Sequence, residues 1–266
     1  MMQLSYFFFY ILINQSLSRS IIVFLMILFI SIPLQFMMVV QSVSGQNEDN
    51  NPQVVKPDVH VTIDGTIGDD RIKGGDGNDV IHGGEGNDIL YGGEGDDKID
   101  GGEGDDEIYG ERGDDEIDGG DDDDSLRGGA GNDEIDGGKG NDTLHGGPGD
   151  NELDGGDGDD VMNGERGKDE IKGGKGNDKL YGGRGDDELE GEDGDDELDG
   201  GEGSEILTGG KGADTFICDL ADTITDFNSA EGDTKTGQCS VVDEALAEQE
   251  SEADEEEDVP VNPIFS

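Results

Sequence analysis

The fold class expected from the sequence is all-β, a thin solenoid of short strands and tight turns, and three observations point to it. From residue 65 to residue 217 the chain divides into seventeen units of nine residues with no insertion or deletion. The eighth position of the unit is apolar in every copy, from Ile72 through Leu126 and Met162 to Phe216. All 46 glycines of the span fall at positions one, two or four.

Each part of the unit has a physical reason. Positions seven to nine alternate polar, apolar, polar, so a short strand sends one side chain inward and two outward. Glycines at fixed places let the backbone take positive φ in a tight turn and aim its carbonyls at a common centre. A stack of such turn-and-strand units buries position eight as a continuous core.

Composition alone suggests a different answer. Acidic residues outnumber basic ones 69 to 16, the formal net charge is -53, and aromatic residues are 5% of the chain. Low hydrophobicity with extreme charge usually means disorder, because too little apolar surface is available to offset chain entropy. A disordered acidic tract has no reason to hold one aliphatic residue in register seventeen times, so the periodicity overrides the composition. The charge still excludes nucleic acid and anionic membrane surfaces as partners and favours cations.

The core of this solenoid is one residue in nine, too thin to hold the chain unaided, and the repeats carry 50 acids against 13 bases. A cation is therefore expected inside the structure. Position six is aspartate in fifteen units: Asp70, Asp79, Asp88, Asp97, Asp106, Asp115, Asp124, Asp133, Asp142, Asp160, Asp169, Asp178, Asp187, Asp196 and Asp214. Carboxylates and glycine-freed carbonyls are hard oxygen donors that suit calcium, which takes six to eight oxygens in flexible geometry; magnesium prefers its waters and a strict octahedron. Zinc or copper would want nitrogen or sulfur. The repeats contain no cysteine, and histidine only at the variable ninth position, as His82 and His145.

The unit, as in GGDGNDVIH, GGEGNDILY and GGEGDDKID, resembles the nonapeptide GGxGxDxUx of the RTX, or hemolysin-type, calcium-binding repeat family. The resemblance implies a parallel, right-handed β-roll with two repeats per turn and calcium held between one loop and the loop two repeats on. The fifteen aspartates named above become metal ligands, and about fifteen sites at most would be framed. Fifteen Ca2+ would bring the repeats from -37 (50 acids less 13 bases) to near -7. Asn151 and Glu205 replace the aspartate, and Asp122 replaces the loop glycine; Thr66, Glu111, Glu165 and Glu192 replace the second glycine, and Lys168 adds a positive charge. These loops are expected to bind calcium less tightly than their neighbours. The segment after the last repeat resembles the cap that closes such rolls, with Phe216, Ile224 and Phe227 available to cover the end of the core.

Five regions are expected. Residues 1–45 form a signal peptide or an uncleaved membrane anchor, since 21–40 read IIVFLMILFISIPLQFMMVV; Met26 is an alternative start. Residues 46–64 are a linker and the start of the roll, where VHVTI alternates like an edge strand; 65–217 are the calcium-binding repeats. Residues 218–242 form the cap, and 243–266 an acidic disordered tail. Cys218 and Cys239 are the only cysteines, and in an exported protein an even pair favours a disulfide over two free thiols. The leading apolar segment departs from relatives that carry a C-terminal secretion signal and suggests the general secretory route, hence an extracellular or cell-surface location.

Neither HExxH nor GxSxG occurs, and little chain lies between the apolar segment and the first repeat, so a non-enzyme is expected. Position three reads Ile67, Asp76, Glu85, Glu94, Glu103, Arg112 onward, a mixed charged row unsuited to ice binding. Two roles stay open: a calcium-folded structural or adhesive protein meeting cell-surface or matrix polymers, and a secreted calcium buffer without a specific partner. An RTX-type toxin or an accessory of a secreted enzyme is a distant third.

Overall fold

An apolar residue flanked by outward polar ones makes a strand, and a glycine pair with positive φ makes the corner that follows it. Together they set the repeating element of this chain. The computed structural model describes residues 41–44 and 60–242. All of the expected signal or anchor but 41–44, most of the linker and the acidic tail lie outside the described residues.

Strand β1 (Gln41–Ser44) pairs in parallel with β2 (Val61–Asp64), the segment expected to begin the roll. Sixteen strands of six residues follow, from β3 (Arg71–Asp76) to β18 (Ile206–Lys211), starting every nine residues. Each runs from position seven of one unit to position three of the next. The even-numbered strands form a 12-stranded sheet and the odd-numbered ones a 10-stranded sheet, all pairings parallel. Ile135 faces Ile117 on one side and Leu153 on the other, a register of two units. Two repeats therefore complete each turn, and successive strands alternate between the sheets as in a parallel β-roll.

The core is the single file that position eight dictates. From Ile72 to Phe216 these side chains are 0–4% exposed, continued by Val61 and Ile63 at one end and Ile224 at the other. Glycine at position one is buried beside them, where a β-carbon would collide with the position-six side chain of the following loop.

The coil does not stop at residue 217. Beyond β19 (Thr215–Cys218), β20 (Thr223–Ile224) and β22 (Ser240–Val241) extend the larger sheet, and β21 (Thr234–Gly237) extends the smaller. Register slips to 17 residues where Leu207 meets Ile224, and to 19 where Thr215 meets Thr234, so these turns lie outside a strict nine-residue period. Phe227 packs against Phe216 with ring centroids 6.2 Å apart, and a disulfide joins Cys218 to Cys239.

Candidate metal centres

The loops between strands are built from positions four to six, and position six turns back into the molecule. Fourteen of the fifteen aspartates expected as ligands are 0–3% exposed; the exception, Asp70, lies in the first, weakest unit. One oxygen of each is spent on the backbone. Asp106 Oδ1 accepts the Asp88 N–H at 2.7 Å, Asp124 Oδ1 the Asp106 N–H at 2.7 Å and Asp142 Oδ1 the Asp124 N–H at 2.7 Å. This ladder links position six of every turn to the turn before it.

The second oxygen is different. In thirteen of the fifteen (Asp79, Asp88, Asp97, Asp106, Asp115, Asp124, Asp133, Asp142, Asp160, Asp169, Asp178, Asp187 and Asp196), Oδ2 is buried with no hydrogen-bond partner. A buried unpaired carboxylate oxygen is among the costliest groups a protein can hold. Asp70 escapes because Thr66, at the position where other units carry glycine, donates its N–H at 2.6 Å and its hydroxyl at 2.7 Å to Asp70 Oδ2. Asp214 gives Oδ1 to the Asp196 N–H at 3.0 Å.

What surrounds the orphaned oxygen is revealed by the loop in which an amide takes its place. Asn151 places an amide nitrogen there, and this Nδ2 donates to Gly147 O at 3.3 Å, Gly149 O at 3.2 Å and Asp169 Oδ1 at 2.9 Å. Carbonyls at positions two and four and the carboxylate of the next turn thus converge on the second atom of position six. With aspartate, oxygens face oxygens. The first glycine completes the cradle: a β-carbon at Gly101 would lie 2.4 Å from Asp106 Oδ2 and 2.5 Å from Gly119 O. Such a donor set, all oxygen and net negative, fits a hard divalent cation. Among the described residues no cluster of three or more acidic, histidine or cysteine side chains forms, because carbonyls supply most of the donors.

The electrostatics agree. Without a cation, burial pushes the Asp88, Asp97, Asp115, Asp142 and Asp178 carboxyls up to about 7 and Asp124 up to about 8. The ladder hydrogen bond opposes this in each case, and neighbouring aspartates mostly reinforce it.

Residues 64–216, more than half the chain, are matched by the family model of the RTX calcium-binding nonapeptide repeat in seven overlapping stretches, from 64–99 to 181–216. The chain belongs to that family. Among curated proteins none matches it.

In this RTX chain three sets of residues escaped sequence reading. Glu205, expected only to weaken its loop, buries both carboxylate oxygens without a partner, and burial, then Asp222, pushes its carboxyl up to about 8. Beyond the repeats, Asp222 and Asp233 continue the position-six ladder by accepting the N–H groups of Glu205 and Asp214. Their second oxygens take the N–H groups of Asp219 and Asn228, so the ladder closes there on protein donors. No nine-residue pattern marks them. Position five forms a second ladder of opposite sense: Asp114 N–H donates to Asp96 Oδ1 at 3.1 Å and Asn132 N–H to Asp114 Oδ1 at 2.7 Å. Its signal was the preference of position five for asparagine or aspartate. Lys168 sits in this outer row, exposed, and its backbone N–H donates to Asp150 Oδ1 at 2.8 Å.

Proposed function

We propose that this chain is a calcium-folded structural or adhesive repeat protein of the cell surface or extracellular space, without catalytic activity. The observation that carries the reading is the file of thirteen buried, partnerless Oδ2 atoms facing loop carbonyls. The position-six aspartates, with Glu205 in place of aspartate in its loop, would hold calcium together with carbonyls at positions two and four. Bound calcium supplies the positive charge that lets these oxygens stay ionised while buried. The remaining work is the chain's own: aspartate Oδ1 atoms tie turn to turn, glycines open the cradle, and position eight excludes water from the axis.

Because metal-binding energy is folding energy in such sites, the roll would form only where calcium is plentiful. Extracellular modules typically bind calcium at about 0.1–1 mM. Such affinity keeps the chain open where calcium is scarce and folds it on export. The leading apolar segment of residues 21–40 supports an exported or surface-held product, and cell-surface or matrix polymers are the partners such a product would meet.

Far-UV circular dichroism of the chain, titrated with calcium and again with magnesium at pH 7.5, tests this. A cooperative gain of β-structure at sub-millimolar to millimolar calcium, absent in magnesium, is the expected result. A fully formed roll in excess chelator at that pH would sink it. A secreted buffer would show the same transition, and is separated from the adhesive reading by an absence of calcium-dependent binding to cell-wall or matrix polymers.

A further inference from the structure

The two outer faces of the roll are chemically unlike. All five arginines of the repeats (Arg71, Arg112, Arg127, Arg166 and Arg184) lie on odd-numbered strands, in the 10-stranded sheet. So do all three repeat tyrosines, Tyr91, Tyr109 and Tyr181. Tyr91 and Tyr109 stack with centroids 5.0 Å apart and planes within 6°, and the Arg71 guanidinium sits 4.9 Å over Tyr91. Among the described residues Arg127 and Arg166 have no ion-pair partner.

Whereas the 10-stranded sheet mixes its cations with acids such as Glu94, Glu107 and Glu202, the 12-stranded sheet is the more acidic. At position seven it carries Glu116, Glu134, Glu152, Glu170 and Glu188 on five consecutive strands in direct register. Position nine adds Asp118, Asp136 and Asp154 beside them. Like charges directly opposite one another on neighbouring strands are destabilising. Lys98 and Lys172 relieve Glu116, Glu152 and Glu170, whereas Glu134, Glu188 and the three aspartates have no cation within ion-pair distance among the described residues.

Both faces share the strand spacing of about 4.8 Å, so the carboxylate row and the position-nine row Lys73, Tyr91, Tyr109 and Arg127 repeat at the same interval along the axis. Arginine pairs carboxylates through two parallel N–H groups, and arginine with tyrosine is the composition of buried interface centres. We propose that folded copies of this chain stack laterally, the glutamate face of one roll against the arginine–tyrosine face of the next. Eight strands of four outward residues give roughly 500 Å² per partner, near the lower bound of about 1,000 Å² in total for a specific contact. Association is accordingly weak. Because the two surfaces differ, each added copy leaves one of each kind free and the stack is open-ended.

The inference rests on the calcium-folded roll, so the test reads folding and association separately. Sedimentation velocity of the full chain in mild detergent and saturating calcium, at about 0.15 M salt, is compared with circular dichroism of the same samples. The wild type is expected to grow with concentration and to shrink in 1 M salt. R127S/R166S and E134Q/E152Q, all outward substitutions, should keep the calcium-induced dichroism and weaken self-association at least tenfold. Mixed together, these variants retain one productive contact and should give pairs that grow no further. Growth lost in E134Q/E152Q but untouched in R127S/R166S would overturn the proposal in favour of acidic faces bridged by calcium. Growth untouched in both places the contact elsewhere and also overturns it, as does a folded wild type that stays single at every concentration. A chain that fails to fold in calcium overturns this inference and the proposed function together.

Discussion

Within one loop, a single atom decides whether a cation is required. Asn151 and Asp106 occupy equivalent positions; the amide of Asn151 donates to two loop carbonyls and a carboxylate, and Asp106 Oδ2 meets no donor. Exchanging them gives opposite predictions. N151D should add about one bound calcium per chain by isothermal titration calorimetry, and D106N should remove about one while leaving some turn structure in its place. Equal stoichiometry in both variants and the wild type would show that position six does not set occupancy. The four non-glycine residues at positive φ offer a second prediction. Glu111, Asp122, Glu165 and Glu192 have φ of 72–85°. The left-handed region costs a residue with a β-carbon about 1–2 kcal/mol, and glycine returns part of that through its unfolded-state entropy. E111G, E165G and E192G should each stabilise the calcium-loaded roll by roughly 0.5–1 kcal/mol, read as a higher midpoint in denaturant.

At the level of the strand, periodicity made most of the fold legible. Position eight announced the core file and position six the inward carboxylates, because both follow from a strict nine-residue register. Legibility failed where the register slips. Asp222 and Asp233 extend the ladder at spacings of 17 and 19 residues, which no repeat pattern would flag. The oxygens of position six were recognisable as donors, but their division into a hydrogen-bonded Oδ1 and an orphaned Oδ2 depends on which side of the loop the previous turn lies. The end strands depend on the link between Cys218 and Cys239, 21 residues apart. In the chain-entropy account a loop of that size stabilises by about 3 kcal/mol. Because solenoid turns contact only their neighbours, C218A/C239A should loosen β19 to β22 and leave central turns intact. Amide hydrogen exchange in calcium is the measurement: protection lost from Thr215–Cys218 onward, with the strands near Ile135 unchanged, is expected. Uniform loss along the roll would mean that the end governs folding of the whole.

For the whole molecule, the file of buried carboxyls makes folding without metal a function of pH. Burial raises most of these groups from the usual aspartate value of 3.8 to between about 6 and about 8, so in the folded, cation-free roll they hold protons that the open chain releases. A group whose folded pKa lies above its unfolded one favours the fold at low pH, and that contribution disappears as pH rises through the folded value. Protons at pH 4–5 therefore do part of what calcium does at pH 7.5, neutralising oxygens that have no donor. In excess chelator the chain should gain β-structure on acidification from pH 8 to pH 5, most steeply between about pH 7 and pH 6. In saturating calcium at pH 8 the roll should persist, and the calcium concentration at half-folding should drop as pH falls toward 6, because protons already favour the fold there while the open chain keeps its carboxylates ionised at both values. Circular dichroism at several pH values, with and without chelator, reads both effects. A chelated chain whose spectrum does not change between pH 8 and pH 5 would mean that relieving these carboxyls is insufficient, and that the loops need a bridging ion to bring one turn onto the next.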